Sequence, residues 1–325
     1  MAVSRRTLML SCGAAAMGAA APRAGAGAPS TPAPAEGAIN LWFAGDLHLG
    51  EHGREILAPL RDLLPPDSLG YVNLEGPIGA PAEPGATNLE GGPVLVNSPA
   101  AAPILRDIGV AVAGVVNNHD FDRCVSGEHL TQRTLRRAGV VAADNAGGLI
   151  ERGGLRLAFT AHHLDPAPPE RLGRDLRRAR ARADHLIATF HIDGPPSYLP
   201  PAELKEAVEI ALEAGASAIV CHGSHAIARV ESRGDAVIAW GLGNLAFACD
   251  CTDEVDAAIL CLRLDRRHVL EAAWLPIAAG LRGAPVARHP EPELMFDLLA
   301  SLRSTPGAVI DDRYYLDLGP FRAGR

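Results

Sequence analysis

The chain has 325 residues, 48% hydrophobic and 21% charged, with a formal net charge of -8. That length and balance exclude a disordered or fibrous protein and allow one sizeable hydrophobic core. Lys205 is the only lysine, and no basic stripe stands out, which argues against nucleic acid as the main partner.

Residues 1–26 read as a twin-arginine signal peptide. Arg5-Arg6 precedes an alanine-rich apolar run to Ala21, and Ala24-Gly25-Ala26 fits an A-x-A cleavage site. The run is too short and too weakly hydrophobic for a membrane span. The expectation is export by the twin-arginine route to the periplasm or beyond, with membrane association if the signal is retained. Residues 27–38, rich in proline, alanine and glycine, predict a disordered linker. Five cysteines follow the signal, an odd number, so at least one is unpaired within the chain. Cys249-Asp250-Cys251 is too tight for an easy mutual disulfide, and no C-x-x-C pair marks a zinc ribbon.

Ile39–Ala44 is the first predicted strand and runs into Gly45-Asp46-Leu47-His48-Leu49-Gly50. Residues 54–64 have helical spacing and stop at Pro65-Pro66. Leu69–Val72 is a second strand, ending in Asn73-Leu74-Glu75-Gly76, and a glycine- and proline-rich loop covers 76–98. A helix over 99–107 opens with Ser98 as its cap. Val110–Val116 is an apolar strand that stops at Asn117-Asn118-His119-Asp120-Phe121-Asp122.

A helix over 126–138 and a strand over 140–143 precede a hairpin, 148–160, that turns at Gly153-Gly154. Residues 168–183 form an arginine-rich amphipathic helix. The strand 185–190 ends at His191; the helix 200–214 is closed by Gly215; the strand 216–220 ends in Cys221-His222-Gly223-Ser224-His225. A hairpin (228–232 and 236–240) leads to Gly241-Leu242-Gly243-Asn244. Strands near 257–264 and 268–275, a helix over 291–302 and a short tail complete the pattern. No repeat or linker interrupts 39–320, which predicts one domain. Alternating strands and helices followed by a run of strands predict a mixed α/β sandwich.

Five strand ends deliver carboxylate, imidazole and amide groups: Asp46, His48, Glu75, Asn118, His119, His191, His222 and His225. In open α/β sheets the carboxyl edge is where ligands bind. This donor inventory, without a thiolate, suits divalent Mn, Fe, Zn or Ca rather than a structural zinc site. Eight groups exceed one tetrahedral ion and suit two ions sharing a carboxylate, an arrangement that clamps both oxygens in phosphoryl hydrolysis.

The ordered series Gly45-Asp46, Asn73-Leu74-Glu75, Asn117-Asn118-His119 with Asp122, His191, His222-Gly223-Ser224-His225 and Gly241-Leu242-Gly243-Asn244 resembles the capsule-synthesis CapA family, the poly-γ-glutamate biosynthesis proteins. The resemblance covers about residues 39–265. It implies a metallophosphoesterase-like four-layer αββα sandwich with mixed sheets. It implies that Asp46, His48 and His225 hold one divalent ion, Glu75 bridges, and Asn118, His191 and His222 hold a second. His119 then faces substrate as general acid or charge stabiliser, and Asp122 orients His119 or holds the loop. Asn244 falls at the family's Gly-Asn turn near the site. Arg123 and Arg229 are candidate contacts for an anionic substrate. The sequence departs from the family pattern at Asp122-Arg123-Cys124, at His191-Ile192-Asp193, at Cys221 and at Leu245, all of them pocket-wall positions rather than ligands.

Three functions are expected from this reading. The first is a secreted hydrolase with a dinuclear metal site, acting on a phosphoester or an anionic capsule-type polymer. The second is a non-hydrolytic factor that assembles or exports poly-γ-glutamate or another capsule polymer with the synthesis machinery at the membrane. The third is metal-assisted epimerisation of a peptide at Cα, with His119 or Asp122 as acid–base group.

Overall fold

The computed structural model describes residues 37–83, 85–88, 91–164 and 169–319. The expected signal peptide and all but the last two residues of the expected linker lie outside them.

Along the chain the elements are β1 (Ile39–His48), α1 (Leu60–Leu63), β2 (Leu69–Leu74), α2 (Ala101–Asp107), β3 (Val110–Gly114), α3 (Cys124–Ala138) and β4 (Val141–Ala143). Then come β5 (Gly148–Arg152), β6 (Leu155–His163), α4 (Pro169–Arg180), β7 (His185–His191), α5 (Ala202–Glu213) and β8 (Ala218–His222). The last part holds β9 (Val230–Arg233), β10 (Ala236–Ala239), β11 (Asn244–Phe247), β12 (Asp256–Leu264), β13 (Val269–Ala278), β14 (Gly280–Leu281), β15 (Ala287–Arg288), α6 (Pro292–Ser301), β16 (Gly307–Ile310) and β17 (Arg313–Leu316).

Two mixed sheets result. The first has the order β16-β17-β13-β12-β1-β2-β3-β4, with β11, β14 and β15 attached beside it; the second has the order β5-β6-β7-β8-β10-β9. β1, β2, β3 and β4 run parallel in the first sheet, and β6, β7 and β8 run parallel in the second.

Alternating side chains set the layers, because successive strand residues face opposite ways. In β1, Leu41 and Phe43 enter the core between the sheets, while Trp42 and Ala44 pack with Ile104 and Leu105 of α2 and Leu135 of α3. In β7, Ile187 joins the inter-sheet core, while Leu186, Ala188 and Phe190 pack with Leu172 and Leu176 of α4 and Leu204 and Val208 of α5. Helices, sheet, sheet and helices therefore stack as the four-layer αββα sandwich with mixed sheets that the family resemblance implied.

Four local expectations need correction. The helix expected over 54–64 shrinks to Leu60–Leu63, because Pro59 has no N–H to continue the ladder begun by the Leu57 and Ala58 amides on Arg54 O. β1 runs four residues past Ala44, because β11 pairs beside it in parallel, with Asp46 opposite Asn244. The short tail contains the hairpin β16–β17, stabilised on the edge strand β13 through Ala273 opposite Tyr315 and Trp274 opposite Tyr314. Cys249 and Cys251 are joined as a disulfide, contrary to the sequence expectation; the turn at Asp250 brings their Cα atoms to 5.3 Å, within ordinary disulfide reach.

Candidate metal centre

The parallel strands of both sheets end toward one another, and their ends carry the polar groups. Asp46 and His48 lie on β1; Glu75 follows β2; Asn117 to Asp122 follow β3; His191 closes β7 and His222 closes β8. The first strand reaches this position through a close backbone crossing. A Cβ on Gly45 would lie 1.8 Å from Gly243 O, so only glycine lets β1 pass the turn before β11. Asp46 N donates to Gly243 O at 3.1 Å across that contact.

Donor atoms of Asp46, Glu75 and His225 lie within 4.8 Å of one another. Asp46 is the hub. Its Oδ1 accepts from Asn73 Nδ2 at 2.9 Å, and its Oδ2 accepts from Gly223 N at 3.0 Å. His222 Nδ1 stands 3.3 Å from Oδ1, outside hydrogen-bond geometry, and His225 Nδ1 stands 3.5 Å from Oδ2. Burial works against the Asp46 carboxylate, but His222, His225 and His191 override it and hold the group well below the usual carboxylate range. Glu75 is the opposite case. Burial, then repulsion from Asp46, Asp193 and Asp122, pushes it well above its ordinary value. Among the described residues no Lys or Arg pairs with Asp46 or Glu75.

Several buried atoms of residues at these strand ends have no hydrogen-bond partner among the described residues: Glu75 Oε1, Asn118 Oδ1, His48 Nδ1 and both ring nitrogens of His222. Orphaned buried polar atoms are rare and call for a partner. His48 shows what that partner is. Its Nε2 donates to Val96 O at 3.2 Å, which leaves Nδ1 as a bare lone pair. Burial lowers the ring to about 4, so the imidazole is neutral at pH 7 and able to ligate. His225 donates Nδ1–H to Asn244 Oδ1 at 2.7 Å, which leaves the lone pair on its Nε2. Carboxylate oxygens, neutral imidazoles and an amide oxygen without cationic partners fit a divalent ion.

An amide relay holds these groups in place. Asn117 Nδ2 donates to Leu74 O at 2.9 Å and to Asn73 Oδ1 at 3.3 Å, while its Oδ1 accepts from His119 N at 3.1 Å. Asn73 Nδ2 then serves both Asp46 Oδ1 and His191 Nδ1, the latter at 3.1 Å. Asn97, on the loop before α2, donates to Glu75 O and Gly76 O and accepts from Leu49 N. The sequence pattern gave Asn73, Asn97 and Asn117 no individual role. Asn73 stood in a quoted motif; nothing local marked Asn97.

His191 is the ligand candidate with its valences filled. Nδ1 accepts from Asn73, and Nε2 lies 3.3 Å from Asp193 Oδ1. Burial lowers its pKa, against the pull of Asp193 and Asp46. Asp193 also reaches His163 Nε2 at 3.4 Å. Burial pushes the Asp193 carboxyl up, but these two histidines prevail and hold it below its ordinary range. This is a further residue whose role the sequence did not indicate, though it occupies a position where the chain departs from the family.

His119 Nδ1 donates to Asp122 Oδ2 at 2.8 Å, and the same oxygen accepts from Leu95 N at 2.7 Å. Asp122 thus orients the imidazole and pins the 76–98 loop. Asn244 and the two candidate anion contacts, Arg123 and Arg229, all have partners within the protein. Asn244 is fully buried, with Nδ2 donating to Thr252 Oγ1 and Glu254 O, so its amide works inside the protein. Arg123 Nη2 donates to Ala80 O and Pro81 O. Arg229 pairs with Glu231 at 3.5 Å and lies over the Trp240 ring.

The profile of the bacterial capsule synthesis protein family, PGA_cap, matches residues 40–249, a span that contains every donor named above. Among solved structures, a hypothetical protein from Thermus thermophilus is similar over 78% of this chain and 100% of that one, at 16% identity and a TM-score of 0.47. No curated protein matches the chain.

Proposed function

The chain belongs to the bacterial capsule synthesis protein family PGA_cap, and on that premise we propose that it is an exported, dinuclear metal-dependent hydrolase of a phosphoester or an anionic capsule-type polymer. One observation carries the reading: donor atoms of Asp46, Glu75 and His225 meet within 4.8 Å, and Glu75 Oε1 is buried with no hydrogen-bond partner among the described residues. In this reading Asp46, His48 and His225 would hold one ion and Asn118, His222 and His191 a second, with Glu75 shared between them. His191 must give up its bond from Asn73 or its contact with Asp193 to do so. Divalent ions of the Mn, Fe, Zn or Ca type supply Lewis acidity and clamp the attacking and leaving oxygens.

The protein's own residues do the rest. Asn73 and Gly223 fix both Asp46 oxygens, which sets the direction of the hub. Asp122 accepts the Nδ1 proton of His119; with a second proton on Nε2, the ring would give that proton to the substrate's leaving oxygen and return to the neutral Nδ1–H form that Asp122 holds. Phe247 packs edge-on to His225 and against His48, and so shields one side of the cluster from water.

The test is turnover of bis(p-nitrophenyl) phosphate and of poly-γ-glutamate by the Mn-loaded full chain. Turnover that falls by roughly a hundredfold or more in Asp46→Ala and His119→Ala supports the reading. No turnover, or turnover indifferent to Asp46→Ala, removes it. Family membership itself favours one second reading, a polymer-handling role without hydrolysis, in which the ions bind polymer carboxylates. Saturable, metal-dependent binding of poly-γ-glutamate with no shortening of the polymer is its signature.

A further inference from the structure

Beside the donor cluster lies a cavity of about 260 Å³ whose walls include Ile192, Leu199, Pro200, Leu204 and Trp240. Asp193 and His222 also line it. These two residues face the cluster directly: His222 lies 3.3 Å from Asp46 and Asp193 lies 3.3 Å from His191. The cavity therefore continues from the donor set rather than standing apart from it.

Its chemistry differs from that of the cluster. Trp240 is 2% exposed, its indole N–H donates to Glu231 Oε1 at 3.1 Å, and Arg229 covers its ring. The polar edge of the indole is satisfied inside the protein, so its apolar surface is what the cavity meets. Among the described residues no Lys or Arg lines the space, and Asp193, the one acid lining it, is already engaged by His191 and His163. An anion entering here would lose hydration and meet only negative charge. At the rim Leu199 is 73% exposed. Large apolar side chains left in water beside a concave apolar space mark a ligand surface.

We propose that this cavity is a subsite for an uncharged apolar group carried by the substrate, next to the bond presented to the Asp46–Glu75–His225 cluster. The inference rests on the reading of that cluster as the place where the substrate's reacting group binds, and it narrows the substrate. A uniform polyanion has nothing to place in this space; an ester or capped polymer end with an aromatic or aliphatic group does.

The experiment compares phenylphosphonate with methylphosphonate by calorimetric titration of the Mn-loaded full chain. Phenylphosphonate is expected to bind more tightly by roughly tenfold or more, as burial of one apolar group allows. Trp240→Leu is expected to reduce the ratio to roughly threefold or less. Because Trp240 is buried, Leu199→Asp on the exposed rim serves as the second variant, with the same expected loss of preference and its fold checked by circular dichroism. Equal affinities in the wild type, or no binding of either phosphonate, overturn the subsite. A phenyl preference in a protein that hydrolyses no ester keeps the subsite and removes the hydrolase reading. Ester hydrolysis without phenyl preference does the reverse.

Discussion

Asn244 Oδ1 accepts the Nδ1 proton of His225 at 2.7 Å, and that bond decides which nitrogen His225 offers to the donor cluster. His225 sits at φ 50, a left-handed backbone position that non-glycine residues adopt at a cost. Its ring is therefore oriented by two devices, a strained turn and a buried amide. Partners that orient a ligating histidine usually contribute about 10–100-fold to metal affinity. Asn244→Ala is accordingly expected to weaken Mn binding by about that factor in a chelator-competition titration, and Asn244→Asp, which keeps an acceptor, to weaken it less. Equal affinity in Asn244→Ala and wild type would show the bond to be idle.

His119 and Asp122 make a separable prediction. His119→Ala is expected to lower kcat by roughly 10²–10⁴ with little change in metal content if, as proposed, His119 serves the leaving oxygen and is not a metal ligand. Asp122→Asn keeps the bulk and one acceptor oxygen but loses the negative charge that holds the His119 imidazole and the Leu95 amide. It should lower kcat and also loosen the 76–98 loop, measured as faster amide exchange there. Loss of metal from His119→Ala would move this residue into the ligand set.

Glu75 gives a prediction about metal removal. Its carboxyl is raised above an ordinary value of 4.5 by burial and by three acids. The folded state therefore holds its proton longer than the unfolded state. With ions stripped by EDTA, stability should fall as pH rises above about 4.5 and through the raised folded value. Glu75→Gln removes that charge, so it is expected to be more stable than wild type in EDTA at pH 8. In excess Mn the order should reverse. Urea midpoints under the four conditions check it, and a Glu75→Gln that is less stable in both would contradict the repulsion.

His162 carries an acid-side effect away from the cluster. Burial lowers it from 6.5 to about 4, and its Nε2 has no hydrogen-bond partner among the described residues. Unfolding lets the ring take a proton, so stability present above pH 6.5 is lost as pH falls toward 4. A shift of that size corresponds to roughly 3 kcal/mol across the window. His162→Leu should shrink the difference between urea stabilities at pH 7 and pH 4.5 by a good part of that amount. An unchanged difference would place the acid sensitivity elsewhere.

Gly45→Ala tests the backbone crossing beneath Asp46. A Cβ there meets Gly243 O at 1.8 Å and Gly243 C at 2.8 Å, and neither backbone atom can turn aside. The substitution is expected to destabilise the domain by more than about 3 kcal/mol, at the severe end for one added methyl. Thermal unfolding measures it; a loss under about 1 kcal/mol would mean the two strands slide apart readily.

Much of the framework was legible locally. The alternation of Leu41 and Phe43 with Trp42 and Ala44, and of Ile187 with Leu186 and Ala188, is a period-2 signal that survives without tertiary knowledge. The hairpin at Gly153-Gly154 and the stop at Pro65-Pro66 are likewise written in adjacent residues. The tail hairpin β16–β17 was not legible. Its residues are largely exposed, and only pairing to β13, far back in the chain, makes strands of them. β11 is a similar case, since Asn244 to Phe247 become a strand because β1 offers a parallel edge at Asp46.

By itself the sequence determined the donor inventory and its place at strand ends, because apolar runs broken by Asp, Glu, Asn and His are local patterns. It also determined the two-sided burial of the central strands. Only the tertiary structure decided how each donor is used. Asn73 serves Asp46 and His191 at once, Asn244 turns inward to His225, Asp193 joins His191 to His163, and an apolar cavity opens beside them. The reason is physical: which nitrogen of a histidine is free, and which acid is buried beside another, depend on groups far apart in the chain, such as Asp46 and Gly223, 177 residues apart. Side-chain type can be read from a position, but a partner across that distance exists only once both sheets have packed.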